Sequence, residues 1–429
     1  MNKVLLGTAI SVAAVTAIAA TSMVVTDTQI DNVISHLTSS SLEPLTVAVI
    51  EDENSLFERN VSFSITFDDG QQPIVIIVDN QLSKKPWGTE ITHSVALDDS
   101  ILDDIYDVSA RELMQKLFVN QALLEATTHV SMTGTYQTNI ETLDVQETVE
   151  DVSIQFHPMR LSATGNMSGA IEMSGQWSGF SIVADDLEKI DFSFLPVEFQ
   201  AEGKYINGSV FEGQQVLTGE GFNFSMESEW ASQGLTGQSY ELVSSGDVVG
   251  NDFSGELSFN SEGLTYQGDD SLLTVNDIGF SFVIAGIDID NYQSLVEELN
   301  KMQTTGVPSP ALMQSANVLL RNGFGLSLND WHANIEGHSV ALDADFELPE
   351  NEIADANNPF SLMGLVTQFS ATADVTMDSA LADIPEISEP LLGVLMTGVF
   401  VSEGDQYTLA FSMKDGIAEL NGEVLPLPF

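Results

Sequence analysis

Alternation of apolar and polar residues limits what this chain can fold into more than any other feature. In GFNFSMESEW, Phe222, Phe224 and Met226 alternate with Asn223, Ser225 and Glu227. A period of two suits a half-buried β-strand; a helix would repeat its apolar positions at three and four. The pattern returns in DVSIQF, IDFSF, FSGELSF and IGFSFVI, with Gly, Asn, Asp and Ser between the runs, from about residue 130 to 289. Regular short strands joined by such turns predict an antiparallel meander, not βαβ units.

The same period holds at both ends. Val61, Phe63, Ile65 and Phe67 share one face of VSFSITF, Asp69-Gly70 marks a turn, and PIVIIVDN reads as a more buried strand. Near the C-terminus Tyr407, Leu409, Phe411 and Met413 alternate, Asp415-Gly416 turns the chain back, and Asn421-Gly422 ends the returning strand.

Three helical stretches interrupt this plan. Ser109 and Glu112 fit a capping box ahead of the stripe Leu113, Met114, Leu117 and Phe118. Tyr292, Leu295, Val296, Leu299 and Met302 form an amphipathic helix, broken at Gly306 to Pro308. Ser309 then caps a second helix with Pro310 at its first position and Leu312, Ala316, Leu319 and Leu320 on its face. A further short helix is expected within ISEPLLGVLMTGVF. The expected class is mainly β (α+β): a long antiparallel curved sheet with a few packed helices and an N-terminal membrane helix.

That membrane helix rests on residues 4–25, which contain no charge. Twenty-two residues form a helix of about 33 Å, enough for a hydrocarbon core of about 30 Å. Lys3 before it and Asp27 and Asp31 after it leave the N-terminus in the cytoplasm and export the rest. A cleaved signal peptide is the alternative, with Ala17, Ala19, Ala20 and Ser22 as small residues for the cut. The uninterrupted length favours an anchor. The expected organisation is therefore an anchor over 1–25, an α+β region over 26–129, the meander over 130–290, a helical pair over 291–322, and a β-rich end over 323–429.

Charge narrows the partners. Sixty-four acidic residues against 12 basic give a net charge of −52. Phosphate backbones need clustered Lys and Arg, so nucleic acid is excluded as a partner, and anionic headgroups are repelled by most of the surface. Spread acidity keeps a protein hydrated in salty water. The chain has no cysteine, which removes disulfides, thiolate metal sites and Cys nucleophiles.

The layout and one motif resemble a known family. The anchor, the long β-rich exported region, and the end from Lys414 to Pro428 (Asp-Gly, a short strand, Asn-Gly, then Leu-Pro-Leu-Pro) are similar to the YdgA-like family of bacterial envelope proteins. Members carry an Arg-Gly pair where this chain reads Arg59-Asn60, and a His-Gly-Pro turn where it reads His93-Ser94-Val95. The resemblance implies an inner-membrane-anchored, single-pass protein with its bulk in the periplasm, and supplies no catalytic residue.

No enzyme motif emerges either. Gly175 to Gly179 has the wrong spacing for a nucleophile elbow, and Gly323-Phe324-Gly325 lacks the third dinucleotide glycine. His332 and His338, taken on one strand, would lie about 20 Å apart and cannot share a metal. Trp87, Trp177, Trp230 and Trp331 suit a core or a sugar platform; Met132, Met167, Met173 and Met226 suit a core or an apolar cavity. No catalytic, cofactor-binding or metal residue is assigned. The expected function is a non-enzymatic scaffold or binding protein of the envelope, with envelope proteins or lipid as partners. A lipid carrier with an open β groove and a hydrolase using paired carboxylates are the alternatives.

Overall fold

A computed structural model describes residues 45–426 apart from 68–73, 103–110, 113–114, 117–121, 150, 167, 186–188, 207–209, 270, 293, 296–297, 299–301, 303–308 and 354–363. The charge-free segment 4–25 and most of the helix expected after Ser109 lie outside the described residues. Among the described residues no helix is long and apolar enough to cross a membrane. The chain divides into two compact units, residues 1–204 with 223–230, and residues 205–222 with 231–429.

The first unit is an antiparallel meander. Strands β1 (Leu45–Asn54), β2 (Glu58–Phe67), β3 (Ile74–Lys85), β4 (Gly88–Leu97), β5 (Leu124–Ser131) and β6 (Thr135–Thr142) pair in chain order. Beyond β6 the chain runs in long arms, each interrupted once. These are β6 with β7 (Val145–Val149), β8 (Val152–Phe156) with β9 (Met159–Asn166), β10 (Ala170–Trp177) with β11 (Phe180–Asp185), and β12 (Lys189–Phe194) with β13 (Val197–Ile206).

The interruptions are aligned. β6, β9, β10 and β13 pair on one side of them, and β7, β8, β11 and β12 on the other, where β15 (Phe222–Glu227) adds to β12. Register continues across the gap: Trp177 lies opposite Val197 before it and Phe180 opposite Phe194 after it. The apolar residues, however, change parity. They are Met173 and Trp177 in β10 but Phe180 and Ile182 in β11; Val197 and Phe199 in β13 but Phe192 and Phe194 in β12. A two-residue break rotates each arm so that both sections present apolar side chains to the same side.

Local chemistry explains the breaks. Pro158 and Pro196 have no N–H to give the ladder. Gly179 adopts φ +89°, and a Cβ there would lie 1.9 Å from the carbonyl oxygen of Phe194. The crease acts as a β-bulge repeated across neighbouring arms.

The second unit continues the same grammar. Its strands are β14 (Val210–Gly219), β16 (Ser232–Gly237), β17 (Tyr240–Val249), β18 (Asp252–Gln267), β19 (Leu272–Asp288), β20 (Phe324–Ile335), β21 (His338–Leu348), β22 (Ser370–Asp378), β23 (Val401–Glu403), β24 (Gln406–Lys414), β25 (Ile417–Leu420) and β26 (Glu423–Leu425). β17 through β22 pair in sequence, then β22 with β24, β24 with β25 and β25 with β26. Here the parity change falls within strands, at Gly263, Asp277 and Asp330, whose φ values are +151°, +51° and +53°. Both Asp-Gly and Asn-Gly at the C-terminus make hairpin turns, with φ near +53° at Asp415 and Asn421. Asn421-Gly422 ends β25 as its sequence predicts and turns the chain into β26.

Among the described residues two complete helices flank the apolar face of this unit, and the helix expected from Tyr292 to Met302 lies partly outside the described residues. α1 (Pro310–Asn322) starts as its sequence predicts, with Pro310 at the first turn and Ser309 accepting a hydrogen bond from the Leu312 N–H at 2.9 Å. Its Leu320 packs with Phe324, Phe346, Leu348, Leu365 and Phe369. α2 (Pro385–Leu395) supplies Ile387, Leu391 and Leu395 to a cluster around Met377, Leu381 and Ile384.

The polar faces set like charges directly opposite one another: Glu172 against Glu202, Asp343 against Asp374, all four exposed. Such pairs are destabilising across a sheet. Unfolding temperature should therefore rise by several degrees between about 0.01 M and 0.5 M NaCl, as the screening length falls. A flat thermal-shift series would contradict this.

Candidate functional site

The deepest burial in the first unit surrounds a polar row. Val61, Phe63, Ile65, Ile76, Val78, Ile91 and Val95 form a continuous buried core on β2, β3 and β4. Within it lie Asn80, His93, Thr128 and Thr138, one from each of β3, β4, β5 and β6, all buried. The Asn80 amide donates to the Val61 carbonyl (3.2 Å), which turns its oxygen toward His93 Nδ1 at 2.7 Å. His93 Nδ1 therefore carries the proton, and Nε2 accepts from the Thr128 hydroxyl at 3.2 Å; Thr128 and Thr138 are 3.0 Å apart.

Burial pushes the His93 pKa down to about 4, so the ring is neutral at ordinary pH. A neutral, buried imidazole hydrogen-bonded at both nitrogens is a structural element, and it fixes register, since a one-residue slip would part its donor and its acceptor from their partners. Beside this row Arg59 is buried and forks onto Asp52, with Nε and Nη2 at 2.8 and 2.7 Å from the two oxygens. His93 and Arg59 are thus both buried in this unit. Their sequence neighbourhoods alternate like any other strand, so nothing local signalled their burial.

The crease carries the second arrangement. Trp177 lies 5.5 Å from Phe156, 5.7 Å from Phe180 and 5.4 Å from Phe194, ring centre to ring centre, and Phe192 lies 5.3 Å from Phe180. The indole N–H is satisfied by the His157 carbonyl at 3.0 Å. All five rings are only half-buried, as are Phe222, Phe224 and Met226 on β15. The alternation read from the sequence is present on β15, but no described layer buries it.

The apolar face of the second unit behaves similarly between its helices. Leu257 and Phe282, paired across β18 and β19, remain 36% and 39% exposed on the side that also carries Phe259 and Phe280. α1 and α2 cover parts of that face; the stretch between them keeps solvent contact. Fully burying such a side chain is worth roughly 1.5–3 kcal/mol, so about a third of that, roughly 0.5–1 kcal/mol for each, is still available to a ligand.

The remaining sequence candidates separate. His332 and His338 lie on β20 and β21 with the turn Glu336-Gly337 between them, not on one strand as the sequence reading placed them; Glu336 and Gly337 adopt φ +52° and +89°, a two-residue hairpin. His332 sits between Asp277 and Asp330, at 3.6 and 3.4 Å. No group of three or more His, Asp or Glu among the described residues is placed to hold a metal. Trp87 and Trp230 are exposed, Trp177 is at the crease, and Trp331 lies within β20. Glu90 and Asp378 have lowered pKa values, the first through Lys85 and the second through the Ser339 N–H, the reverse of what a general acid requires.

A family model described as a bacterial protein of unknown function, DUF945, matches residues 1–428. No curated protein and no solved structure matches the chain.

Proposed function

The chain belongs to DUF945, a family of bacterial proteins of unknown function, and on that premise we propose an envelope protein that shelters apolar ligands, with acyl chains of lipid as the class. One observation carries this reading: large apolar and aromatic side chains on the face of the long sheets stay half-exposed among the described residues. A closed core would bury them. The aromatic group around Trp177 is built of five neighbouring rings whose one indole N–H is already taken by the His157 carbonyl, which suits a hydrocarbon better than a sugar.

Placement in the envelope follows from residues 4–25 and from the resemblance to YdgA-like proteins. On this reading the anchor holds the protein to the inner membrane, with the sheets in the periplasm. A non-enzymatic scaffold is the second reading, in which another protein covers the same face.

The test is purification from carbonate-washed membranes, followed by solvent extraction and mass spectrometry. Lipid should co-purify in fixed proportion, and Phe224→Ser should lower it severalfold in a still-folded protein. Lipid-free, well-dispersed protein would leave the scaffold. Recovery only in the wash, with a new N-terminus near Ala20, would remove the anchor.

A further inference from the structure

Most exposed apolar side chains are scattered, but four gather at one end of the first unit. The hairpins β1–β2, β3–β4 and β5–β6 all turn at that end, through residues 55–57, 86–87 and 132–134. Their tips carry Leu56, Phe57, Trp87 and Met132, exposed by 80%, 67%, 72% and 73%. The six strands are consecutive neighbours, so a tip recurs every second strand, about 10 Å apart, in a row about 20 Å wide.

The row is built, not frayed. The Lys84 N–H donates to the Phe57 carbonyl at 2.7 Å, joining the first two turns, and Lys84 Nζ reaches Asn54 Oδ1 at 3.1 Å. The Ser131 hydroxyl meets those of Thr133 and Thr135 at 2.8 and 2.7 Å, and the Gly134 N–H donates to the Ser131 carbonyl. Turn polar groups satisfied in this way lose little on leaving water.

Charge sets this end apart as well. Across residues 52–60, 83–90 and 129–135 the sequence holds Arg59, Lys84 and Lys85 against Asp52, Glu53, Glu58 and Glu90, close to balance in a chain of net charge −52, with Arg59 taken up by Asp52. Anionic headgroups meet far less excess negative charge here than the overall ratio of 64 acidic to 12 basic residues sets elsewhere.

We propose that the three tips form a membrane contact of their own, placing Leu56, Phe57, Trp87 and Met132 in the interfacial layer of a lipid bilayer with Lys84 and Lys85 at headgroup level. Aromatic side chains with lysines beside them favour that layer, and several shallow insertions add. If residues 4–25 anchor the chain, residues 26–44 can extend to about 65 Å, whereas β1 spans only about 33 Å, so the tips can return to the same membrane. The contact itself does not depend on that anchor.

The absence of native cysteine makes the test direct. Thr133→Cys at the third tip and Asp99→Cys beyond the opposite end of β4, both exposed positions, are labelled with an environment-sensitive fluorophore in the full chain. The proteins are reconstituted in phosphatidylethanolamine–phosphatidylglycerol vesicles with spin-labelled lipid quenchers. The label at 133 should lose about half its emission and the label at 99 should not. Adding Phe57→Ser, Trp87→Ser and Met132→Ser should abolish the quenching without changing the unfolding temperature. No quenching at 133, or equal quenching at both positions, would overturn the contact. So would shielding of 133 in native membranes but not in pure lipid, which would indicate a protein partner. Carbonate release of a protein still quenched at 133 would reject the anchor and keep the tips.

Discussion

Gly179→Ala is expected to cost about 3 kcal/mol or more of stability, among the largest effects any single methyl group can have in this protein. Two penalties combine. The residue sits at φ +89°, where an L side chain costs about 1–2 kcal/mol, and its new Cβ would stand 1.9 Å from the Phe194 carbonyl oxygen. A backbone atom of a paired strand cannot move aside as a flexible side chain would. Gly337 supplies the control: it has the same φ of +89° but nothing within 4 Å of the Cβ position. Gly337→Ala should therefore lose only the conformational part. Urea unfolding of both variants separates the two terms. Equal losses would mean that the close approach at the crease contributes nothing.

The second large effect is a pH dependence that belongs to His93. Its pKa is about 4 in the folded protein because burial disfavours the charged ring, against about 6.5 in the unfolded chain. Between those values the unfolded chain binds a proton that the folded one refuses, so stability falls as pH drops. The loss begins near pH 6.5 and is complete near pH 4, where it reaches about 3 kcal/mol. Many carboxylates also titrate in this range, so the wild type alone is uninformative. His93→Gln keeps an amide among Asn80 and Thr128 without a titrating ring. The stability difference between wild type and this variant should shift by about 3 kcal/mol from pH 7 to pH 4, in favour of the variant. Parallel pH profiles would show that the ring is solvated or already protonated.

The alternation at Phe222, Phe224 and Met226, the cap at Ser309 with Pro310, and the Asp415-Gly416 turn were legible because each depends on neighbours a few residues away. Side-chain period, capping geometry and left-handed turns are local properties. On that basis the sequence by itself determined an antiparallel β protein with helices at the observed places and an acidic surface.

The crease was written in the sequence but was not legible as such. IEMSGQW changes apolar parity into FSIVAD across Ser178-Gly179, and the same switch recurs at Leu195-Pro196. One such switch reads as the gap between two strands. Only when four arms align does it become a single line across a continuous sheet, because alignment is set by register between strands far apart in sequence. Burial of His93 and Arg59 had the same origin: their strands look ordinary, and only stacking of β1 to β6 removes both from water. Whether an apolar stripe is core or open face also depends on what lies over it. No period in a sequence encodes that; the tertiary structure decided it, by covering β2 to β6 and leaving the rings around Trp177 half-exposed.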